Sequence, residues 1–442
     1  MKWLEVNQSA SLKGAVKVPG SKNSSLALLA ACCMAETPVY LDNIPNITDI
    51  HIVCEIEKSL GVSVHKEKNL LVIDPSGINN TDIDPVKSAA FRTAYYFVGA
   101  LIARHKRVSV GNPGGDNIGP RPIDQHIKGL RALGVDFKFY NDHYVAEAER
   151  LTGADIYFDT VTSGATVNLM LAAVLAEGKT HLYNAARDPE VVDTAVLLNK
   201  MGAKIYGAGT DTIRIEGVSS LTGCSHSVIP DRLIAGAFLV AGGIAGGEIT
   251  IQDVIPEHLE SCMKKLAEIG LFFETTDNTI TVYGSEHLRA TRVRTGMYPA
   301  FSTDLQQPLT ALLLKAHGRS LVADKVFPRR FNHCEQLKRM GADIVLRSGV
   351  AVINGNRPLT GAWVHASDIR AGTCLILAGL NASGTTYITG VEHIERGYED
   401  IIRDFKNLGA DIRLRQGDED IRTLTGSASC SEGWDRAAGS RI

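Results

Sequence analysis

Met201-Gly202-Ala203-Lys204-Ile205-Tyr206-Gly207-Ala208-Gly209-Thr210-Asp211-Thr212-Ile213-Arg214-Ile215-Glu216 is the stretch that decides the fold. Ala203 to Tyr206 and Thr212 to Glu216 alternate as strands do, around a glycine-rich turn, which predicts a β-hairpin. Gly202 reads as the cap of a preceding helix, since glycine alone enters the left-handed conformation without a steric penalty. The same junction recurs at Leu60-Gly61-Val62, Leu133-Gly134-Val135, Ile269-Gly270-Leu271, Met340-Gly341-Ala342 and Leu408-Gly409-Ala410. The six glycines lie 73, 68, 68, 71 and 68 residues apart. Such spacing predicts one supersecondary unit of about 70 residues used six times, not a run of unrelated α/β segments.

Upstream in each unit lies a second helix candidate rich in small residues, followed by a tight turn and a strand. Examples are Ala27–Ala35 before Pro38–Leu41, Met170–Ala176 before Thr180–Tyr183, Ala235–Ile244 before Glu248–Ile251, and Cys374–Ala382 before Thr385–Ile388. The unit therefore reads strand, helix, strand, helix, strand, strand. Small-residue helices suit close packing of backbones, so they are expected inside, with sheets wrapped around them. A chain of 442 residues exceeds one hydrophobic core, which favours two domains of three units each.

Composition narrows the class. With 44% hydrophobic and 21% charged residues, the chain has the make-up of a soluble globular protein. No stretch approaches the roughly 20 apolar residues that span a bilayer. The amino terminus, Met1-Lys2-Trp3-Leu4-Glu5-Val6, lacks a signal-peptide pattern, and a cytoplasmic location is expected. Eight cysteines show neither metal-ligand spacing nor a disulfide framework and read as buried thiols. The net charge of −3 gives no general drive toward nucleic acid. Walker, His-Glu-x-x-His and dinucleotide motifs are absent, and His333-Cys334-Glu335 reads as a satisfied helix-face histidine beside a buried thiol, not a metal site. Residues 416–442 break the repeat and are rich in Gly, Ser, Asp and Arg, so they read as a C-terminal extension.

Chemistry concentrates where glycine, proline and charge interrupt the repeat. Gly111 to Pro122 holds too many glycines and prolines for helix or strand, carries Asp116 and Arg121, and suits a lid or a long surface connection. Pro19-Gly20-Ser21-Lys22-Asn23 and Thr162-Ser163-Gly164-Ala165-Thr166 each open a helix, where amides and dipole favour an anion, although ordinary capping by Ser21 or Ser163 explains each equally well. Phe327-Pro328-Arg329-Arg330-Phe331, Ser367-Asp368-Ile369-Arg370 and Glu395-Arg396-Gly397-Tyr398-Glu399 add arginines, whose forks match carboxylate and phosphate. Read singly, each arginine is a surface ion-pair member beside Asp368, Glu395 or Glu399; read together, they suggest an anion site.

With these motifs, and with Phe91-Arg92-Thr93, Asn184–Asp193, Pro230-Asp231-Arg232 and Pro299–Asp304, the chain from residue 1 to about 415 resembles the enolpyruvyl transferases, in the branch whose acceptor is UDP-N-acetylglucosamine in peptidoglycan synthesis. The resemblance implies a two-domain inside-out α/β barrel, each domain three βαβαββ units with buried helices and outer sheets. It implies domains of 22–229 and of 1–21 with 230–415, closing on substrate in the cleft between them. Lys22, Arg121 and Arg396 are then expected to hold phosphoenolpyruvate, with Arg92, Arg330 and Arg370 completing the positive cleft and Asn23 at the reacting region. Arg121, Pro122, Ile123, Asp124 and Gln125 are expected to receive the nucleotide, Thr162, Ser163 and Gly164 the diphosphate, and Val326 the sugar. Asp304 matches the carboxylate beside the sugar 3-hydroxyl, as base or orienting group. The implied partners are these two small molecules, without metal, organic cofactor, nucleic acid or membrane. The sequence does not set the oligomeric state.

Two positions depart from the family pattern. Most members carry cysteine where this chain has Asp116, the expected general acid, which implies resistance to the epoxide antibiotic fosfomycin. Thr160 stands where some members have a lysine near the diphosphate. Acceptors other than the UDP-sugar stay open: shikimate 3-phosphate in a sister enzyme, or another nucleotide or nucleoside. A different class, the ring-shaped sliding clamp, also uses six α/β units but places basic residues along helices that line a DNA pore.

Overall fold

The computed structural model describes residues 1–9, 11–68, 70–89, 94–112 and 122–417. Strands Asp155–Tyr157, Lys179–Tyr183, Thr212–Glu216 and Lys204–Tyr206 show how one unit is built. The first two are parallel, joined over the helix Ser163–Ala173; the last two follow the helix Pro189–Lys200 and pair antiparallel from Lys204↔Glu216 to Tyr206↔Arg214. This hairpin begins at Lys204, one residue later than the alternation suggested. Five sheets among the described residues have four strands in the corresponding order. The sixth has three, Arg107–Gly111, His143–Glu147 and Asp136–Phe139, with its first strand reduced to a bridge between Asp82 and Ser109.

Gly61, Gly134, Gly202, Gly270, Gly341 and Gly409 all have positive φ, between 93° and 118°, so each junction is a left-handed helix cap. Their surroundings differ. A Cβ on Gly61 would lie 2.3 Å from the Gly77 carbonyl oxygen, whereas one on Gly202 meets nothing within 4 Å. Gly202→Ala is therefore expected to cost about 1–2 kcal/mol from backbone strain alone. Gly61→Ala, which must also displace backbone, should cost at least ~1 kcal/mol more. Urea denaturation of the two variants checks this, and equal losses would refute the packing account.

The inner helices are Lys22–Cys32, Ala94–His105, Ser163–Ala173, Arg232–Ala245, Thr303–Lys315 and Ile369–Leu380. They are apolar on every side because other helices and a sheet enclose them; Ala165 to Ala173 and Leu233 to Ala245 are buried without interruption. Small residues set the spacing. A Cβ on Gly99 would lie 2.2 Å from the Asn168 carbonyl oxygen, and the Gly99 amide donates to Asn168 Oδ1 at 2.7 Å.

Two hydrophobic cores result. One runs from Leu26 to Val228, and the other joins residues 4–18 to residues 233–412. Lys2–Asn7 lies between Thr385–Thr389 and Ile412–Gln416, antiparallel to both, and Leu12–Lys17 runs parallel to Gly247–Gln252. The chain thus crosses between cores twice, near residues 19–21 and 229–231. The two crossings pair with each other: Ser21 N donates to Ile229 O at 2.7 Å and Asp231 N to Pro19 O at 2.9 Å.

Gln416 ends a strand, so the second core's sheet runs one residue into the stretch read as an extension, and residues 418–442 lie outside the described residues. The described cysteines are free thiols, Cys224 alone being partly exposed. Among the described residues no helix is long and apolar enough to cross a membrane.

Candidate active site

A cleft of about 440 Å³ separates the two cores, and it is where the inner helices begin. Lys22, Ser163, Arg232, Thr303 and Ile369, the first residues of five of them, line it, and Tyr95 and Tyr96 bring the sixth to its wall. Capping explains the starts: Ser21 Oγ accepts from Ser24 N, Thr162 Oγ1 from Ala165 N, Ser302 Oγ from Asp304 N, and Asp231 and Asp368 each from two amides. The repeat therefore aims several helix amino termini at one space, which favours negative charge there.

Asp304 stands in the first turn of Thr303–Lys315 between two arginines. Arg330 Nη1 donates to its Oδ1 at 2.5 Å, and Arg370 Nε lies 3.9 Å from its Oδ2. Arg330 also approaches Asp368 at 3.5 Å. Burial alone would raise the Asp304 pKa, but the charges of Arg330 and Arg370 outweigh it and hold the carboxyl well below the usual range. Arg330 and Arg370 are 6% and 5% exposed, which corrects their reading as surface ion-pair members. Arg396 is corrected too: its Nε pairs at 2.9 Å with Asp49, across the cleft, and not with the neighbouring Glu395 or Glu399. Asp49 Oδ2 also accepts from Lys22 Nζ at 3.1 Å, so one carboxylate bridges two cations from opposite walls.

The structure brings Lys22, Asn23, Pro122, Asp124, Gln125, Thr162, Ser163, Gly164, Asp304, Val326, Arg330, Arg370 and Arg396 to the cleft, with Thr160 beside them. Ile123 is not among them; it packs against the first core. Arg92, Asp116 and Arg121 lie outside the described residues. Gln125 is fixed by accepting from Asp159 N at 2.9 Å and donating to Asp124 at 2.7 Å. His333 is fully buried and its Nδ1 has no hydrogen-bond partner among the described residues, so it is not the satisfied histidine expected. Burial pushes its pKa down to about 3. Asp49, Asp188, Glu190 and Arg232 were missed. Asp188, Glu190 and Arg232 lay in stretches that carried the resemblance but were given no role, and the only signal of Asp49 was an acid in a helix's first turn, which ordinary dipole matching explains as well.

Arg232 reaches from the second core to Glu190 at 3.2 Å and Asp188 at 3.4 Å, with Tyr298 beneath its guanidinium. Burial, and then the charge of Glu190, raise Asp188 to about 6 against the pull of Arg232. A carboxyl whose folded pKa exceeds its unfolded value of about 3.9 favours the folded state below that value and loses the contribution as pH rises through 6. Stability contributed by Asp188 should therefore fall between pH 4 and 6, and Asp188→Asn should flatten that slope in urea titrations. An unchanged slope would count against the burial argument.

The chain is similar to known proteins in sequence and in fold. The family described as EPSP synthase (3-phosphoshikimate 1-carboxyvinyltransferase) matches residues 6–405. UDP-N-acetylglucosamine 1-carboxyvinyltransferase 2 of Bacillus subtilis (strain 168) is 47% identical over 429 residues, 97% of this chain and all of that protein. The protein of the same name from Listeria monocytogenes is 46% identical over 401 residues, 91% of this chain and 95% of its own. In three dimensions the chain is similar to the enolpyruvyl transferase NikO from Streptomyces tendae, with a TM-score of 0.85 at 24% identity over 93% of this chain and 98% of that one. EPSP synthase from Acinetobacter baumannii gives 0.74 at 18% identity over 94% and 100%. These two share the two-domain inside-out α/β fold.

Proposed function

The chain belongs to the EPSP synthase family, the enolpyruvyl transferases, and from that premise we propose that it transfers the enolpyruvyl group of phosphoenolpyruvate to the 3-hydroxyl of UDP-N-acetylglucosamine, the entry reaction of peptidoglycan synthesis. The observation that carries the reading is the gathering of Arg330 and Arg370 on Asp304, and of Lys22 and Arg396 on Asp49, in one cleft where helix amino termini converge. The full-length likeness to transferases named for that acceptor supports the choice of sugar. A cytoplasmic location is part of the same proposal.

In this reading Lys22, Arg121 and Arg396 hold phosphoenolpyruvate, Arg92, Arg330 and Arg370 complete the positive cleft, and Asn23 faces the reacting carbons. Asp49, which pairs with both Lys22 and Arg396, shares them with the incoming anion. The helix amino terminus at Thr162, Ser163 and Gly164 takes the diphosphate; Arg121, Pro122, Asp124 and Gln125 take the nucleotide, and Val326 the sugar. Asp304, held ionised, accepts a hydrogen bond from the 3-hydroxyl, orients it, and takes its proton as C2 becomes electrophilic. The oxygen bonds to C2 while Asp116 delivers a proton to C3. The bond from C2 to the phosphate oxygen then breaks as C3 returns a proton to the Asp116 carboxylate, the proton taken up by Asp304 passes to the departing phosphate, and phosphate leaves toward the cations. Closure of 22–229 on 1–21 with 230–415 would exclude water from the intermediate.

Phosphate release from phosphoenolpyruvate, measured with UDP-N-acetylglucosamine, shikimate 3-phosphate, UMP or no acceptor, tests the reading. Release with the UDP-sugar alone is expected. Release with shikimate 3-phosphate or another acceptor would keep the chemistry and replace the pathway.

A further inference from the structure

We propose that Asp193 is a positioning residue for the phosphoenolpyruvate end of the cleft, fastening the helix turn that presents Lys22 and Asn23 to the chain that returns to the second core. The proposal rests on the reading above for the substrate that Lys22 meets.

Asp193 is 4% exposed on the helix Pro189–Lys200, which packs against the helix Lys22–Cys32. Its Oδ2 accepts from the hydroxyl of Ser24, a fully buried residue two positions beyond Lys22, and from the Ile229 amide at 3.5 Å. Its Oδ1 meets His226 Nε2 at 2.9 Å. The other ring nitrogen, His226 Nδ1, lies 3.1 Å from Lys200 Nζ. An ammonium only donates, so Nδ1 is the acceptor, the ring proton is assigned to Nε2, and His226 donates to Asp193. Three donors from three parts of the chain thus converge on one buried carboxylate.

The circuit closes through the crossing strands. Two residues beyond Ile229, Asp231 caps the helix Arg232–Ala245 with Oδ1 and accepts the Lys22 amide at 3.1 Å with Oδ2. The first turn of the Lys22 helix is therefore gripped from one side by Asp231 and from the other by Asp193, with only Ile229 and Pro230 between the two grips. Domain movement about this crossing shifts Asp231 and Ile229 together. The Ser24 bond keeps Lys22 in step with them, and with Arg396 on the opposite wall. A helix held by packing alone has freedom along its axis that directional hydrogen bonds remove.

Ser24→Ala deletes one hydroxyl and preserves the fold. Asp193→Asn leaves the Ile229 amide or the His226 ring without an acceptor whichever way the amide turns. In steady-state phosphate release, both variants are expected to raise KM for phosphoenolpyruvate about tenfold or more, leaving KM for UDP-N-acetylglucosamine within about twofold. Hydrogen exchange by mass spectrometry should show faster exchange in the first turn, residues 22–26, with the rest of the helix unchanged. If both KM values rise in step, or neither moves in Ser24→Ala, the positioning role is wrong. If the wild type turns over neither substrate, the functional reading fails instead. The exchange measurement then decides the positioning alone, and unaltered first-turn exchange overturns it.

Discussion

Asp116→Ala is expected to lower phosphate release with UDP-N-acetylglucosamine by about 10²–10⁴-fold, because it removes the acid proposed to protonate C3. The chemistry makes a further demand. An unperturbed aspartic acid titrates near 3.9 and a cysteine near 8.5, so at neutral pH Asp116 carries the needed proton only if its surroundings raise its pKa. Closure over an anionic substrate acts in that direction and neighbouring arginines act against it. Asp116→Cys restores the residue type usual in the family and should retain turnover. It should also create time-dependent inactivation by fosfomycin, since a thiolate opens an epoxide far faster than a carboxylate does. The unsubstituted chain should keep full activity after the same incubation. Progressive loss of activity there would sink the assignment of Asp116 as the alkylation-resistant acid.

Asp304 carries the other large effect, and its two substitutions separate chemistry from stability. Asp304→Asn keeps the shape and some hydrogen bonding but cannot take the proton of the sugar hydroxyl, so turnover should fall about 10²–10⁴-fold. Asp304→Ala leaves Arg330 and Arg370 facing each other without the carboxylate. A fully buried pair broken in this way costs ~3–5 kcal/mol. Asp304 keeps 27% of its side chain exposed, so screening should reduce the loss to about 2 kcal/mol. The sign with pH follows from its depressed pKa. Stability from the ion pair is present above the unfolded value of about 3.9 and is lost as pH falls through the lower folded value. Both variants should therefore unfold less steeply than the wild type in the acid range. Equal turnover in Asp304→Asn and wild type would remove Asp304 from the mechanism.

What could be read from the sequence was local. Gly202 and its five counterparts announce helix ends because a left-handed residue is a property of one position, and all six have the predicted backbone. Small residues in stretches such as Ala235–Ile244 signalled a buried helix for a similarly direct reason, close packing. Pairings between distant residues left no such mark. Asp49 looked like any acid in a helix's first turn, yet it pairs with Lys22 and also with Arg396, 347 positions further along the chain. Arg330 and Arg370 looked like partners of nearby acids, and their shared partner is Asp304. Ile123 was grouped with the nucleotide segment by resemblance, and its side chain, partly buried, packs against the first core.

The amino-terminal strands impose an order on biosynthesis. Lys2–Asn7 and Leu12–Lys17 are synthesised before their partners, which end at Gln252, Thr389 and Gln416. At about 5–20 residues per second, the partner segment Ile412–Gln416 appears roughly 20–80 s after Lys2–Asn7. The intervening residues 26–228 hold a complete core and can fold meanwhile. Trp3, Leu4 and Val6, buried in the finished molecule, must spend that interval in water or on a chaperone, beside unpaired strand edges. Strands made this early are thus placed only when the second core is complete.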